Sequence, residues 1–186
     1  VPQGVGDAVG VGKSVWYVAL VNNNTEKMTG ERLSALGYEN YVATQLEIRV
    51  WRNGKRAKVD RVVIPSTVFV KCTEKERRQI VALPYINRFM TNKAAVTDEQ
   101  PYRKPLAIIP NRQIETLRFM LGNSDTPVNI GRYQKGDKVR VARGELCGLE
   151  GEVIETSDGK SELIVAIDFF GCARLTIDRI NLEPIK

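Results

Sequence analysis

"KGDKVRVARGELCGLEGEVIET", residues 135–156, sets valines against charged residues and interrupts them with a glycine every few positions. Glycine reaches backbone angles with φ > 0 that other residues adopt only at a cost, so Gly136, Gly144, Gly148 and Gly151 read as tight turns and kinks between short strands. Val139 and Val141 alternate with Lys138 and Arg140, and Leu163, Val165 and Ile167 alternate downstream. That is the period of strands with one buried face. Between them Asp158-Gly159 is a hairpin signal. A segment of about 50 residues with several such strands can close into a small barrel.

Working outward, 186 residues hold one large or two small domains, and 42% apolar with 27% charged residues is ordinary for a globular chain. No apolar run approaches the roughly 18 residues of a membrane span. The N-terminal "VPQGVGDAVGVGK" lacks a basic start followed by an apolar stretch. The expectation is a cytoplasmic protein with no membrane partner, its residues 1–12 a flexible tail. Cys72, Cys147 and Cys172 are odd in number, far apart and unaccompanied by any histidine. Neither a disulfide framework nor a metal site is expected, and small buried thiols fit better.

The net charge of +6 conceals an asymmetry. Residues 13–121 carry 19 Lys/Arg against 10 Asp/Glu, net +9, whereas residues 122–186 carry 9 against 11, net −2. Only the first part is suited to a polyanion. The sign changes at "GNSDTPVNIGRY", residues 122–133, whose composition reads as a linker. The expected organisation is therefore a tail (1–12), an N-terminal domain (13–121), a linker (122–133) and a β-barrel domain (134–186).

"SVWYVALV" (14–21) predicts a strand and "NNNTEKMTGERLSALG" a helix with an Asn or Thr cap and Gly37 at its end. "YVATQLEIRVW" and "KRAKVDRVVIPSTVFV" predict two strands joined at Asn53-Gly54. Thr73 and Glu76 stand in capping-box spacing before a second helix, followed by a short strand at "YINRFM". A last helix is predicted from about Pro110 to Leu121. The fold class is α+β, a split-βαβ sandwich followed by the small barrel.

The hairpin carries the most informative chemistry. A two-residue turn sets Arg52 opposite Lys55 and Arg49 opposite Lys58, with Arg56 facing Trp51 and Arg61 further along. Like charges directly opposite destabilise a sheet, and a polyanion would relieve them. Six cations in residues 49–61 meet one carboxylate, Asp60. Arg49, Trp51, Arg52, Lys55, Arg56, Lys58 and Arg61 are thus candidate nucleic-acid contacts. The alternative is a solvated hairpin whose charges protect an edge.

In order and spacing these elements resemble the NusG family of transcription elongation factors from about Lys13 to the C-terminus. "VWYVALV" resembles the family's opening W-Y-V strand, "RVVIPSTVFV" its R-x-L-F-P-G-Y-V-F-V motif, and "LPYINRFM" its V-P-x-V-x-x-F segment. "KGDKVRVARGELCGLEGEV" is similar to the signature of its KOW barrel, an SH3-like β-barrel, and "IDFFGCARLTI" sits where the family has I-F-G-R. Ser66 and Thr67 replace the usual Gly-Tyr, Ile64 the preceding Phe and Cys172 the usual Arg. Together with the long basic hairpin, these departures point to a specialised paralogue of the RfaH or UpxY kind, acting on selected operons.

The resemblance implies an N-terminal NGN-like domain that binds the clamp helices of RNA polymerase near the non-template strand or upstream DNA, suppresses pausing and acts in antitermination without catalysis or cofactor. It places polymerase contacts at Leu20, Ile64, Thr67 and Phe69, although Ile64 and Phe69 read equally as a buried strand face. Glu76, Arg77 and Arg78 fall near the region facing the polymerase lobe, or form a solvated helix face. Phe169, Phe170 and Gly171 match the KOW loop that recruits a small-subunit ribosomal protein or the Rho terminator. A rival is an RNA-binding or ribosome-associated KOW protein, but no strand carries the aromatic R-G-F-G-F-V-x-F pattern that stacks bases. An enzyme lacks support: there is no histidine, no phosphate loop and no nucleophile with an evident base.

Overall fold

A computed structural model describes residues 12–95 and 104–186, so residues 1–11 of the expected tail lie outside the described residues. The chain divides into two compact units, Val1–Tyr41 with Ser66–Ile108, and Val42–Pro65 with Ile109–Lys186.

The first unit is built on β1 (Val15–Leu20), α1 (Glu26–Ala35), β2 (Glu39–Tyr41), β5 (Thr67–Cys72), α2 (Glu74–Ile80) and β6 (Arg88–Phe89). The sheet order β2-β5-β1-β6, with β7 (Ile108–Ile109) also on β1, is the antiparallel order of the expected split-βαβ unit. Trp16, Tyr17, Val18 and Ala19 are all buried, as a central strand covered on both faces requires. The Thr73–Glu76 capping box closes reciprocally at the start of α2. At α1 the Thr25 hydroxyl does not cap; it donates to the Asn22 carbonyl at 2.7 Å.

In place of a cap, one buried carboxylate organises the neighbourhood of α1. Glu26 Oε1 accepts the backbone N–H of Asn24 at 3.2 Å and of Ser66 at 2.7 Å. Both donors are non-glycine residues in the left-handed region, with φ of 65° and 58°. Such residues persist only where their surroundings over-determine them, and the shared carboxylate does so here. Ser66 occupies the position where the resemblance expects glycine, and its bent backbone ends the approach to β5.

The second unit contains β3 (Thr44–Val50), β4 (Arg56–Val62), α3 (Asn111–Asn123) and a six-stranded antiparallel sheet. Its strands are β8 (Asn129–Gly131), β9 (Asp137–Val141), β10 (Glu150–Glu155), β11 (Ser161–Ile167), β12 (Gly171–Thr176) and β13 (Leu182–Pro184), in the order β13-β9-β10-β11-β12-β8. Val139 and Val141 are buried between exposed neighbours as expected, and Leu163 and Ile167 are buried too, but Val165 is only half-buried and Ile164 is buried beside Leu163, so β11 departs from strict alternation. The opening glycines serve two purposes. Gly148 turns the chain at φ 92°, whereas a Cβ on Gly151 would lie 2.5 Å from the Ile164 carbonyl oxygen. The second is a demand for close backbone approach rather than for a turn.

Several expectations change. The two long strands predicted across residues 41–70 are four, because the chain leaves the first sheet after Tyr41 and re-enters it at Thr67. Residues 122–133, read as a linker, hold the end of α3 and β8, which pairs with β12. The hairpin and α3 cluster with the C-terminal sheet: Gln45 and Arg61 bond to residues 126–128, and Gln113 and Asp168 exchange hydrogen bonds of 3.0 and 2.8 Å. Cys72 and Cys172 are buried as expected, but Cys147 is exposed.

Candidate nucleic-acid interface

β3 and β4 pair only with each other among the described residues, in the register Leu46↔Asp60, Ile48↔Lys58, Arg49↔Ala57 and Val50↔Arg56. This is one residue away from the predicted register. Trp51 N–H donates to the Lys55 carbonyl and Gly54 N–H to the Trp51 carbonyl, both at 2.9 Å, so the loop is the three residues Arg52-Asn53-Gly54. Gly54 takes φ 78°, the left-handed third position of such a loop. The predicted apposition of Arg49 with Lys58 and of Arg52 with Lys55 therefore does not occur, and the like-charge strain argued from it disappears.

The corrected register sorts the hairpin into two faces, since opposed residues share a face. One carries Gln45, Glu47, Arg49, Val59 and Arg61. Glu47 pairs with Arg49 at 2.9 Å and with Arg61 at 3.1 Å. Arg61 also donates to Gln45 Oε1 at 3.2 Å and to the Val128 carbonyl at 2.7 Å. Buried Gln45 in turn accepts from Val128 N–H at 2.8 Å and donates to the Thr126 carbonyl at 2.9 Å. Arg49 and Arg61 consequently share one carboxylate, which offsets one of their two positive charges, and Arg61 anchors the hairpin's base. Glu47 lies just outside residues 49–61, so a charge count over that window does not include it.

The remaining cations behave differently. Arg52, Lys55, Arg56 and Lys58 are exposed and have no carboxylate within ion-pair distance among the described residues. Trp51 stands beside them, 54% exposed. The structure thus brings together five of the seven predicted residues, at and near the tip. It also reveals three residues that sequence reasoning passes over: Leu46, Ile48 and Val50 are 65%, 66% and 64% exposed. Their alternation with polar residues is legible, but alternation by itself implies a buried face.

The other expected sites are placed less openly. Leu20 and Thr67 are opposite each other in β1 and β5, with Leu20 half-buried and Thr67 buried. Phe69 is fully buried and stacks on Tyr41, with ring centroids 6.2 Å apart. Ile64, in the second unit, is buried as well. Phe69, Thr67 and Ile64 are core positions, the alternative the sequence left open for Phe69 and Ile64. On α2, Arg77 forks onto Glu74 at 2.9 and 2.7 Å and Arg78 reaches it at 3.2 Å, while Glu76 is used in the capping box. Those hydrogen bonds from Arg77 hold the Glu74 carboxyl down at about 2, and burial pushes the Tyr17 hydroxyl beside it up to about 12. In the C-terminal sheet Phe169 is exposed at φ 70°, Phe170 is half-buried and Gly171 turns at φ 92°.

The family model described as "Transcription termination factor nusG" matches residues 14–118, more than half of the chain. The chain belongs to the NusG family. The transcription termination/antitermination protein NusG of Staphylococcus carnosus is 24% identical over 168 residues, covering 81% of this chain and 90% of that protein. The NusG of Staphylococcus aureus strain Mu50 is 26% identical over 171 residues with the same coverage. A solved structure described as "Domain interaction in Thermotoga maritima NusG" overlays with a TM-score of 0.49 at 16% identity, covering 95% of this chain and 100% of that one. As a NusG-family member the chain is a transcription termination/antitermination factor that acts with the transcription machinery. Among the described residues no helix is long and apolar enough to cross a membrane.

Proposed function

We propose that this NusG-family chain binds RNA polymerase at the clamp helices, suppresses pausing and supports antitermination on selected operons, with the tip of the β3–β4 hairpin against non-template or upstream DNA. The observation that carries this reading is the group of exposed cations Arg52, Lys55, Arg56 and Lys58, unpaired among the described residues, beside exposed Trp51. Cations without carboxylate partners displace condensed counterions from phosphates, and an exposed indole stacks on an unpaired base. No chemistry is required of the protein. Binding one polymerase conformation more tightly than a paused one shifts the population between them. Ser66, Ile64 and Cys172, which depart from the family pattern, support a specialised paralogue. The polymerase-facing role falls to residues 13–121, at the half-buried Leu20 and the surface backed by the buried side chains of Thr67 and Phe69, with Ile64 the further family position. The barrel, residues 134–186, offers Phe169 with Phe170 and Gly171 to a small-subunit ribosomal protein or Rho. The site of action is the cytoplasm or nucleoid.

Fluorescence anisotropy with single-stranded and duplex oligonucleotides over a salt series tests the hairpin. Changing Arg52, Lys55 and Arg56 to Ser lowers the log–log salt slope by about one unit for each phosphate that is no longer neutralised. Changing Arg49 to Ser lowers the slope by less than changing one tip cation, because Arg49 shares Glu47 with Arg61. An unchanged slope in the triple variant overturns the nucleic-acid role. A transcription assay with defined pause sites tests the elongation role separately.

A further inference from the structure

Leu46, Ile48 and Val50 form a row along β3, spaced two residues apart on one face and about two-thirds exposed. Directly across from Ile48 and Val50 stand Lys58 and Arg56, exposed and without an ion pair among the described residues, while across from Leu46, toward the base of the hairpin, stands the carboxylate of Asp60. A solvated hairpin has no use for three adjacent aliphatic side chains, and contiguous apolar patches rimmed by charge mark interaction sites. Nucleic acid satisfies the cations but offers little to an aliphatic row, because its interfaces are polar and its apolar contacts are largely aromatic stacking. The ligand that satisfies both rows is an amphipathic acidic protein segment, with apolar side chains over β3 and carboxylates over Lys58 and Arg56, clear of Asp60 at the base.

We propose that the Leu46-Ile48-Val50 face of the hairpin, with Arg56 and Lys58, is a protein-docking surface that receives an acidic amphipathic segment of RNA polymerase. This rests on the reading that the chain works on polymerase, and it gives the hairpin two separate surfaces. The tip cations and Trp51 meet nucleic acid, while the aliphatic face meets protein. Arg56 and Lys58 lie at the junction and contribute to both.

The test uses the full chain and purified core RNA polymerase free of nucleic acid, with oligonucleotide binding measured in parallel. The variant Leu46→Thr, Ile48→Thr, Val50→Thr keeps β-branched strand formers at exposed positions, and circular dichroism checks that it is folded. It is expected to lose about tenfold or more in polymerase affinity while oligonucleotide binding stays unchanged. The charge reversal Arg56→Glu, Lys58→Glu weakens polymerase binding as well, by loss of complementarity. Polymerase affinity unchanged in the Thr variant overturns the proposal and leaves the polymerase reading standing. Loss of oligonucleotide binding alone makes nucleic acid the occupant of this face and overturns it too. Wild-type self-association that the Thr variant abolishes, with polymerase affinity intact, makes a second copy the occupant and likewise overturns it. Failure of the wild-type chain to bind core polymerase overturns the polymerase reading and this inference together.

Discussion

Gln45 Oε1 accepts the backbone N–H of Val128 at 2.8 Å, in a position where Val128 is fully buried. One side-chain amide therefore ties the base of the basic hairpin to the segment that follows α3. Replacing Gln45 with Ala leaves a buried N–H without its partner, a loss of about 1–3 kcal/mol. Urea denaturation is expected to show a lower midpoint at unchanged slope, and hydrogen exchange should speed up at Val128.

The left-handed Ser66 has a simple remedy. Ser66→Gly removes the Cβ clash of a φ of 58°, worth about 1–2 kcal/mol, partly offset by the greater chain entropy of glycine. A rise in Tm of about 1–4 °C is expected in a thermal melt. Glu26→Ala should act in the opposite direction, since it orphans the N–H groups of both Asn24 and Ser66. A Ser66→Gly protein no more stable than the parent would show that the strain is already relieved.

Phe69 tests whether a family contact position has become core. Truncating a fully buried aromatic costs about 3–5 kcal/mol, so Phe69→Ala is expected to destabilise the first unit severely. Full stability combined with failure to bind polymerase would restore the side chain to a contact role.

Acid sensitivity should trace in part to Glu74. Its folded pKa, about 2, lies below its ordinary 4.5, so the stability it contributes is present above about pH 4.5 and fades as pH falls toward 2. In Glu74→Gln that contribution is absent at every pH. The stability gap between parent and variant, followed by chemical denaturation from pH 7 to pH 2, is expected to close across that window. A gap that stays constant would mean that Arg77 does not hold the carboxylate in solution.

Much of the fold is legible because it depends on local signals. The capping box at Thr73 and Glu76, the alternation in β9, and the strand–helix openings at β1–α1 and β5–α2 all follow from residues close together in sequence. The failures share a cause. Asn-Gly and Asp-Gly serve both two-residue loops and three-residue loops with glycine in third place, and here both hairpins choose the latter. Lys160 and Thr156 repeat the pairing of Lys55 and Trp51, with Gly159 at φ 78° like Gly54. A one-residue error in register reassigns every side chain to the opposite face, and the expected charge pattern then falls on the wrong surface. The pairing of Arg61 with Glu47 and Val128, and the exposure of Leu46, Ile48 and Val50, depend on tertiary placement that no local window contains.

The three-residue loop also constrains how this hairpin can evolve. Its base is clamped on both strands, by Gln45 on one and Arg61 on the other, so neither strand can slide to absorb a change in length. A single inserted or deleted residue near the tip would leave an unpaired bulge or break the loop. Two residues added to each strand would instead extend the ladder, keep the closing pair hydrogen-bonded and preserve the turn. Homologous hairpins anchored in this way and closed by the same loop should therefore differ in length by multiples of four residues, and their reach toward a partner should change in steps of about 6.8 Å, two residue rises at a time.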